Sequence, residues 1–111
     1  LGMVAVAEVR SPDEADRALL AGVSVVAVNS WTFDTNDLNR HAFAEIAPGL
    51  PTEVIKISLG GVTTPRDLID AAACGADAVL AAEAVMAAGD VYAATRSLAA
   101  AGQHPACPSR R

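Results

Sequence analysis

Aromatic side chains are scarce in this chain: one Trp, one Tyr and two Phe make up 4% of 111 residues. That excludes a core built on large rings. Hydrophobic residues still reach 52%, and much of that is alanine, so the core is expected to be helices lying close on a sheet. Positive charge is short as well, with 8 Lys and Arg against 13 Asp and Glu and no basic cluster before Arg110-Arg111. A net charge of −5 excludes nucleic acid and anionic membrane as expected partners. Long apolar runs are missing too. The longest, such as 18-ALLAGVSVVAV-28, are too short and too broken by Gly and Ser to span a bilayer. The opening LGMVAVAEV carries no basic stretch of the signal-peptide kind. It begins on Leu1 instead of Met, from which a start inside a longer protein is expected.

Cysteine is limited to Cys74 and Cys107, far apart and without metal-ligand spacing. Cys74, inside 71-AAACGA-76, is expected to be an inert core residue. His104-Pro105-Ala106-Cys107 sits beside a further proline and reads as a tail, so no metal is expected. A reduced, cytoplasmic protein follows.

What is present is alternation. A β-rich run, Val4 to Val9, precedes Ser11-Pro12-Asp13-Glu14, which supplies a cap, a proline at the first helical position and a Glu three residues on. That helix stops at Gly22. Val23 to Asn29 is the next strand, and the loop 30–37 leads to a helix around Asn39 to Ala47, ended by Pro48-Gly49. Val54 to Leu59 is the third strand, followed by a helix from Thr64-Pro65 to Gly75. Ala76 to Ala82 is the fourth strand. A last helix, capped by Asp90, runs to about Ala101. The stretches 18–28 and 71–81 share a helix end, a glycine and a strand, a faint repeat of a two-unit module. Residues 1–102 thus form one unit, with 103–111 as a tail.

Strands apolar on both faces belong to a parallel sheet covered by helices. Four βα units fit either an open flavodoxin-like sheet or half of a (βα)8 barrel, since a whole barrel takes about 250 residues. A half-barrel leaves two open edges, so self-association or pairing with a missing half is expected.

Functional groups of such sheets gather at the carboxyl ends of the strands. Those positions are Glu8, Asn29, Leu59 with Gly60-Gly61, and Ala82-Glu83. Glu8 is either a strand-tip carboxylate desolvated inside a barrel, with a raised pKa, or a solvated one paired with Arg10. Asn29 either orients a substrate or satisfies its own loop. Gly60-Gly61 permits close backbone approach, and the helix at Pro65 would offer free N–H groups to a phosphate. The turn 81-AAEAVM-86 would add neighbouring donors at a helix start. Lys56, inside an apolar strand, is expected to be paired or to reach the surface.

The segments 1-LGMVAVAEV-9, 13-DEADRALLAG-22, 25-VVAVN-29, 45-EIAPGLP-51, 54-VIKI-57, 74-CGADAVL-80 and 102-GQHPACP-108 resemble the C-terminal half of indole-3-glycerol phosphate synthase, a (βα)8 barrel of the tryptophan pathway. The resemblance implies strands five to eight of a TIM barrel and a lyase without cofactor. That lyase closes the ring of 1-(2-carboxyphenylamino)-1-deoxyribulose 5-phosphate with loss of carbon dioxide and water. It places Glu8 on an acid–base glutamate and Asn29 on a substrate-positioning asparagine. Gly61, beside Gly60, falls on a phosphate-binding glycine, and Ala82 with Glu83 on the second phosphate turn. Departures accompany it. Leu59-Gly60 stands where the family has Glu-Ser, Trp31 where it has an arginine, and Ala82 where it has a glycine. The family's catalytic lysines and a further glutamate belong to the half of the barrel not represented in this chain. This chain alone is therefore expected to be inactive, and a non-catalytic holder of a sugar phosphate is the alternative.

Overall fold

Local capping sets the helices. Ser11 Oγ accepts from the Glu14 amide at 3.2 Å, and Glu14 Oε2 reaches back to the Arg10 amide at 2.6 Å. With Pro12 at the first helical position, these fix the start of α1, Pro12–Leu20. Thr64 and Asp67 form a reciprocal capping box on α3, Pro65–Ala73. Asp90 caps α5, Val91–Gly102, through the Ala93 amide. The glycines after α1 and α3, Gly22 and Gly75, both take positive φ, +79° and +101°. The computed structural model describes residues 1–32 and 34–107.

The strands are β1 (Val6–Val9), β2 (Val25–Asn29), β3 (Ile55–Leu59) and β4 (Ala78–Leu80), with two short helices, α2 (Ala42–Ile46) and α4 (Ala82–Met86). All pairings are parallel and the order is β1-β2-β3-β4. That order decides between the two architectures. A flavodoxin-like sheet reverses direction at its first strand, whereas a barrel adds each strand beside the last. The chain is four βα units in the barrel order.

The two faces of the sheet differ. Val9, Val26, Val28, Lys56 and Ser58 point to the helix side and are buried, joined by Ala15, Phe43, Ile46 and Leu50 in the core. On the other face the register aligns Val6 with Val25 and Ile55, and Asn29 with Leu59 and Leu80. There Val6, Ile55 and Leu80 are 53%, 37% and 52% exposed. An apolar face with two open parallel edges is half of a closed interior. Near the β4 edge α5 stands off the sheet, and small side chains leave an apolar cavity of about 520 Å³ lined by Ala72, Ala78 and Leu98.

Four expectations need correction. The second helix begins at Ala42 instead of Asn39, because Asn39 forms a turn: its side chain accepts from the His41 amide and its carbonyl from Ala42. The fourth strand is shorter at both ends. The Lys56 amide is taken by the Asp77 carboxylate at 2.9 Å, so the register starts only at Ile57–Ala78. Cys74 is exposed, turned out at the C-cap of α3, while Ala71 and Ala72 fill the core there. The start of α3 is only partly free: Asp67 Oδ2 accepts from the Thr63 and Thr64 amides, each at 3.0 Å, and Thr64 Oγ1 from the Asp67 amide, which leaves the Arg66 amide without a partner among the described residues. Lys56 is paired, its Nζ donating to the Pro51 and Val54 carbonyls at 2.9 and 3.0 Å. Residues 103–107 turn back on α5, with Cys107 Sγ on the Ala101 carbonyl. Residues 108–111 of the expected tail lie outside the described residues.

Candidate active site

Alternation along the strands places Glu8 and Asn29 on the open face. Glu8 pairs in register with Ala27, two residues below Asn29 on β2. The side chains meet across that diagonal, with Asn29 Nδ2 donating to Glu8 Oε1 at 3.0 Å. Arg10 Nη2 donates to the same oxygen. Asn29 Oδ1 accepts from the Trp31 amide at 2.9 Å, and the Trp31 carbonyl accepts from Arg10 Nε at 3.1 Å. The result is a closed circuit, Glu8–Asn29–Trp31–Arg10, tying the ends of β1 and β2 together. For Asn29 the loop reading is what is found, since Oδ1 orders its own loop through the Trp31 amide while Nδ2 holds Glu8. For Glu8 the pairing with Arg10 is what is found. It is exposed in this chain, against the desolvated tip expected of a closed interior. Glu8 Oε2 has no partner among the described residues.

The two proposed phosphate turns leave adjacent strands at one level, because Leu59 is paired with Leu80. Neighbouring strands lie about 4.8 Å apart, so Gly60-Gly61 and Ala82-Glu83 start side by side. Gly60 and Gly61 both take positive φ, +80° and +78°, a conformation that favours glycine. The Gly61 and Val62 amides have no hydrogen-bond partner among the described residues. Ala82 and Glu83 are exposed at the first turn of α4, whose cap, Ala81, offers no side-chain bond.

Trp31 restricts this cradle. A Cβ on Gly60 would lie 2.7 Å from Trp31 Cδ1, so the edge of the indole rests on the bare glycine. Leu38 stands against Gly61 in the same way, at 3.3 Å from its Cβ position. The sequence marks Trp31 only as a departure from a pattern. That its main chain also closes the Arg10–Asn29 circuit depends on the loop geometry, for which residue type gives no signal.

The sequence pattern of the indole-3-glycerol phosphate synthase family matches residues 1–98. The chain belongs to the indole-3-glycerol phosphate synthase family. The indole-3-glycerol phosphate synthase of Mycobacterium leprae (strain Br4923) is 50% identical over 108 residues, covering 97% of this chain and 40% of the relative. That of Mycolicibacterium gilvum (strain PYR-GCK) is 49% identical over the same shares. The chain therefore spans about two fifths of the length of the curated family members it matches. Among solved structures, mandelate oxidase with benzoyl-formic acid superposes with a TM-score of 0.70 at 20% identity, over 96% of this chain and 36% of that one. The Amycolatopsis orientalis BexX/CysO complex gives 0.64 at 20% identity, over 99% and 48%. At such identities these two carry the fold alone, and both match with this chain as a part of a larger one. Among the described residues no helix is long and apolar enough to cross a membrane.

Proposed function

We propose that this chain supplies strands five to eight of an indole-3-glycerol phosphate synthase barrel, a cytoplasmic lyase when assembled. The assembled protein then closes the indole ring of 1-(2-carboxyphenylamino)-1-deoxyribulose 5-phosphate. The observation that carries this is the Glu8–Asn29 contact on the open face, level with two paired glycine and alanine turns. Ring closure with loss of carbon dioxide and water is redox-neutral and needs proton transfers at a held substrate, so no cofactor is required. Glu8 is suited to a transfer: Arg10 and Asn29 fix Oε1 and leave Oε2 for the substrate. Asn29 holds the carboxylate in place. The Gly61 and Val62 amides, with the turn at Ala82 and Glu83, would receive the phosphate.

Alone, this chain leaves Glu8 in water and the apolar face uncovered, and the family's catalytic lysines come from elsewhere. We expect it not to turn over. A second reading is favoured by one contact, the Trp31 indole on Gly60, and by apolar Leu59 on the open face. Under it the barrel holds a sugar phosphate without chemistry. Carboxyl-labelled substrate separates the two. The native protein from its source is expected to release labelled carbon dioxide with one equivalent of indole product. Saturable binding without release would establish the second reading instead.

A further inference from the structure

The helix side of the sheet holds a second cavity, about 320 Å³, between α2 and α3. Its floor includes Ser30 and Ser58, which are 5% and 3% exposed. Among the described residues neither hydroxyl has a hydrogen-bond partner, and no side-chain polar atom sealed from solvent in them lacks one. Both hydroxyls therefore open onto the cavity. Ser58 lies on the face opposite Leu59, so the sheet stands between the cavity floor and Glu8 and Asn29, while Gly60, Gly61 and Val62 of the proposed phosphate turn also line the cavity. It also lies between the second and third βα units, away from the β1 and β4 edges where further chain would join.

The walls carry opposite charges. Arg40 and His41 precede α2 on one side, and the Arg40 guanidinium makes no ion pair or hydrogen bond with the described residues. Asp67 and Asp70 face them from α3. Burial raises the Asp67 pKa, but hydrogen bonds from Thr63 and Thr64 outweigh it and hold the carboxyl below 3.8. Asp67 Oδ2 takes those bonds, leaving Oδ1 uncommitted. Asp70 Oδ1 accepts from Arg66.

The size lies at the low end of the range for small-molecule pockets, about 300–1,000 Å³. A simple anion would meet Asp67 and Asp70, and a simple cation would meet Arg40. An apolar molecule would leave the two serine hydroxyls without partners. We propose that this cavity binds a small zwitterion of the α-amino-acid class, its carboxylate at Arg40 and the serine hydroxyls, its ammonium at the Asp67–Asp70 wall. Phe43 supplies an apolar surface for its side chain.

The test is calorimetric titration of the native protein with each standard L-amino acid in turn. At least one is expected to bind with a Kd of about 1 mM or tighter. The amino alcohol and the deaminated acid of that same compound should each bind at least about tenfold more weakly. Arg40→Ala should weaken binding by a similar factor, and Arg40→Lys should recover part of it. Arg40 is exposed, so the melting temperature of both variants should match that of the native protein. Three results would each overturn the proposal. They are no saturable binding by any amino acid, equal binding of the amino alcohol, and binding unchanged in Arg40→Ala.

Discussion

Glu8→Gln in the native protein is expected to lower kcat/KM for ring closure by about 10²- to 10⁴-fold, the range for loss of a positioned acid or base. The amide keeps the size of the side chain, and its carbonyl oxygen can still accept from Arg10 and Asn29, so the circuit between β1 and β2 persists. What is lost is the capacity of the second oxygen to take or give a proton. The loss should fall on kcat, with KM and the melting temperature near their native values. Asn29→Ala makes a different variant, because it frees Glu8 and the Trp31 loop together, and it should raise KM as well as lower kcat. Steady-state kinetics and a thermal melt of each variant check both statements. A Glu8→Gln enzyme with native kcat/KM would remove Glu8 from the chemistry.

The double substitution Leu59→Glu with Trp31→Arg is expected to act in the other direction, raising kcat/KM of the native protein by about 10- to 150-fold. That corresponds to one regained hydrogen bond to a charged group, about 1.5–3 kcal/mol. Leu59 lies in register with Asn29 and Leu80, so a carboxylate there projects onto the face that carries Glu8. An arginine at position 31 restores a cationic contact to an anionic substrate. The same change lifts the indole edge from Gly60, where it now rests against the bare glycine. The two substitutions belong together, since a second carboxylate beside Glu8 without a new cation would repel it. Measured turnover that stays at the native level would count against a weakened enzyme and for a barrel that only holds its ligand.

The sequence makes some of this legible and some not, for physical reasons. Helix starts at Ser11, Thr64 and Asp90 can be read because a cap, a proline and an acid within four residues satisfy the first amides locally. The strand and helix ends at Asp77 and Asn39 cannot. There a polar side chain takes over a main-chain partner, and the choice depends on what lies opposite. Cys74 illustrates the limit of composition: an alanine-rich run does not say which residue faces the sheet. Asp67 helps the helix and, by the same bonds, takes up the Thr63 and Thr64 amides that a phosphate at α3 could otherwise use. The strand-end residues of the candidate site were placed by alternation. The contact of Trp31 with Gly60 was not, because it joins two loops through a glycine with positive φ. Ser30 and Ser58 line one cavity because parallel pairing sets β2 beside β3 in one register.

The proposed lyase activity rests on the open face. Val6, Ile55 and Leu80 lie uncovered on it, and β1 and β4 each have one unpaired edge. A lone chain would carry those edges into solution, where they pair or aggregate. We propose that further chain or a second copy closes the barrel. The measurement that tests this most directly is the native mass, under non-denaturing conditions, of the protein isolated from its source. A mass of about twice 11.3 kDa or more is predicted, since that is the mass of this chain alone and a barrel takes about 250 residues. A stable monomer of 11.3 kDa would contradict it.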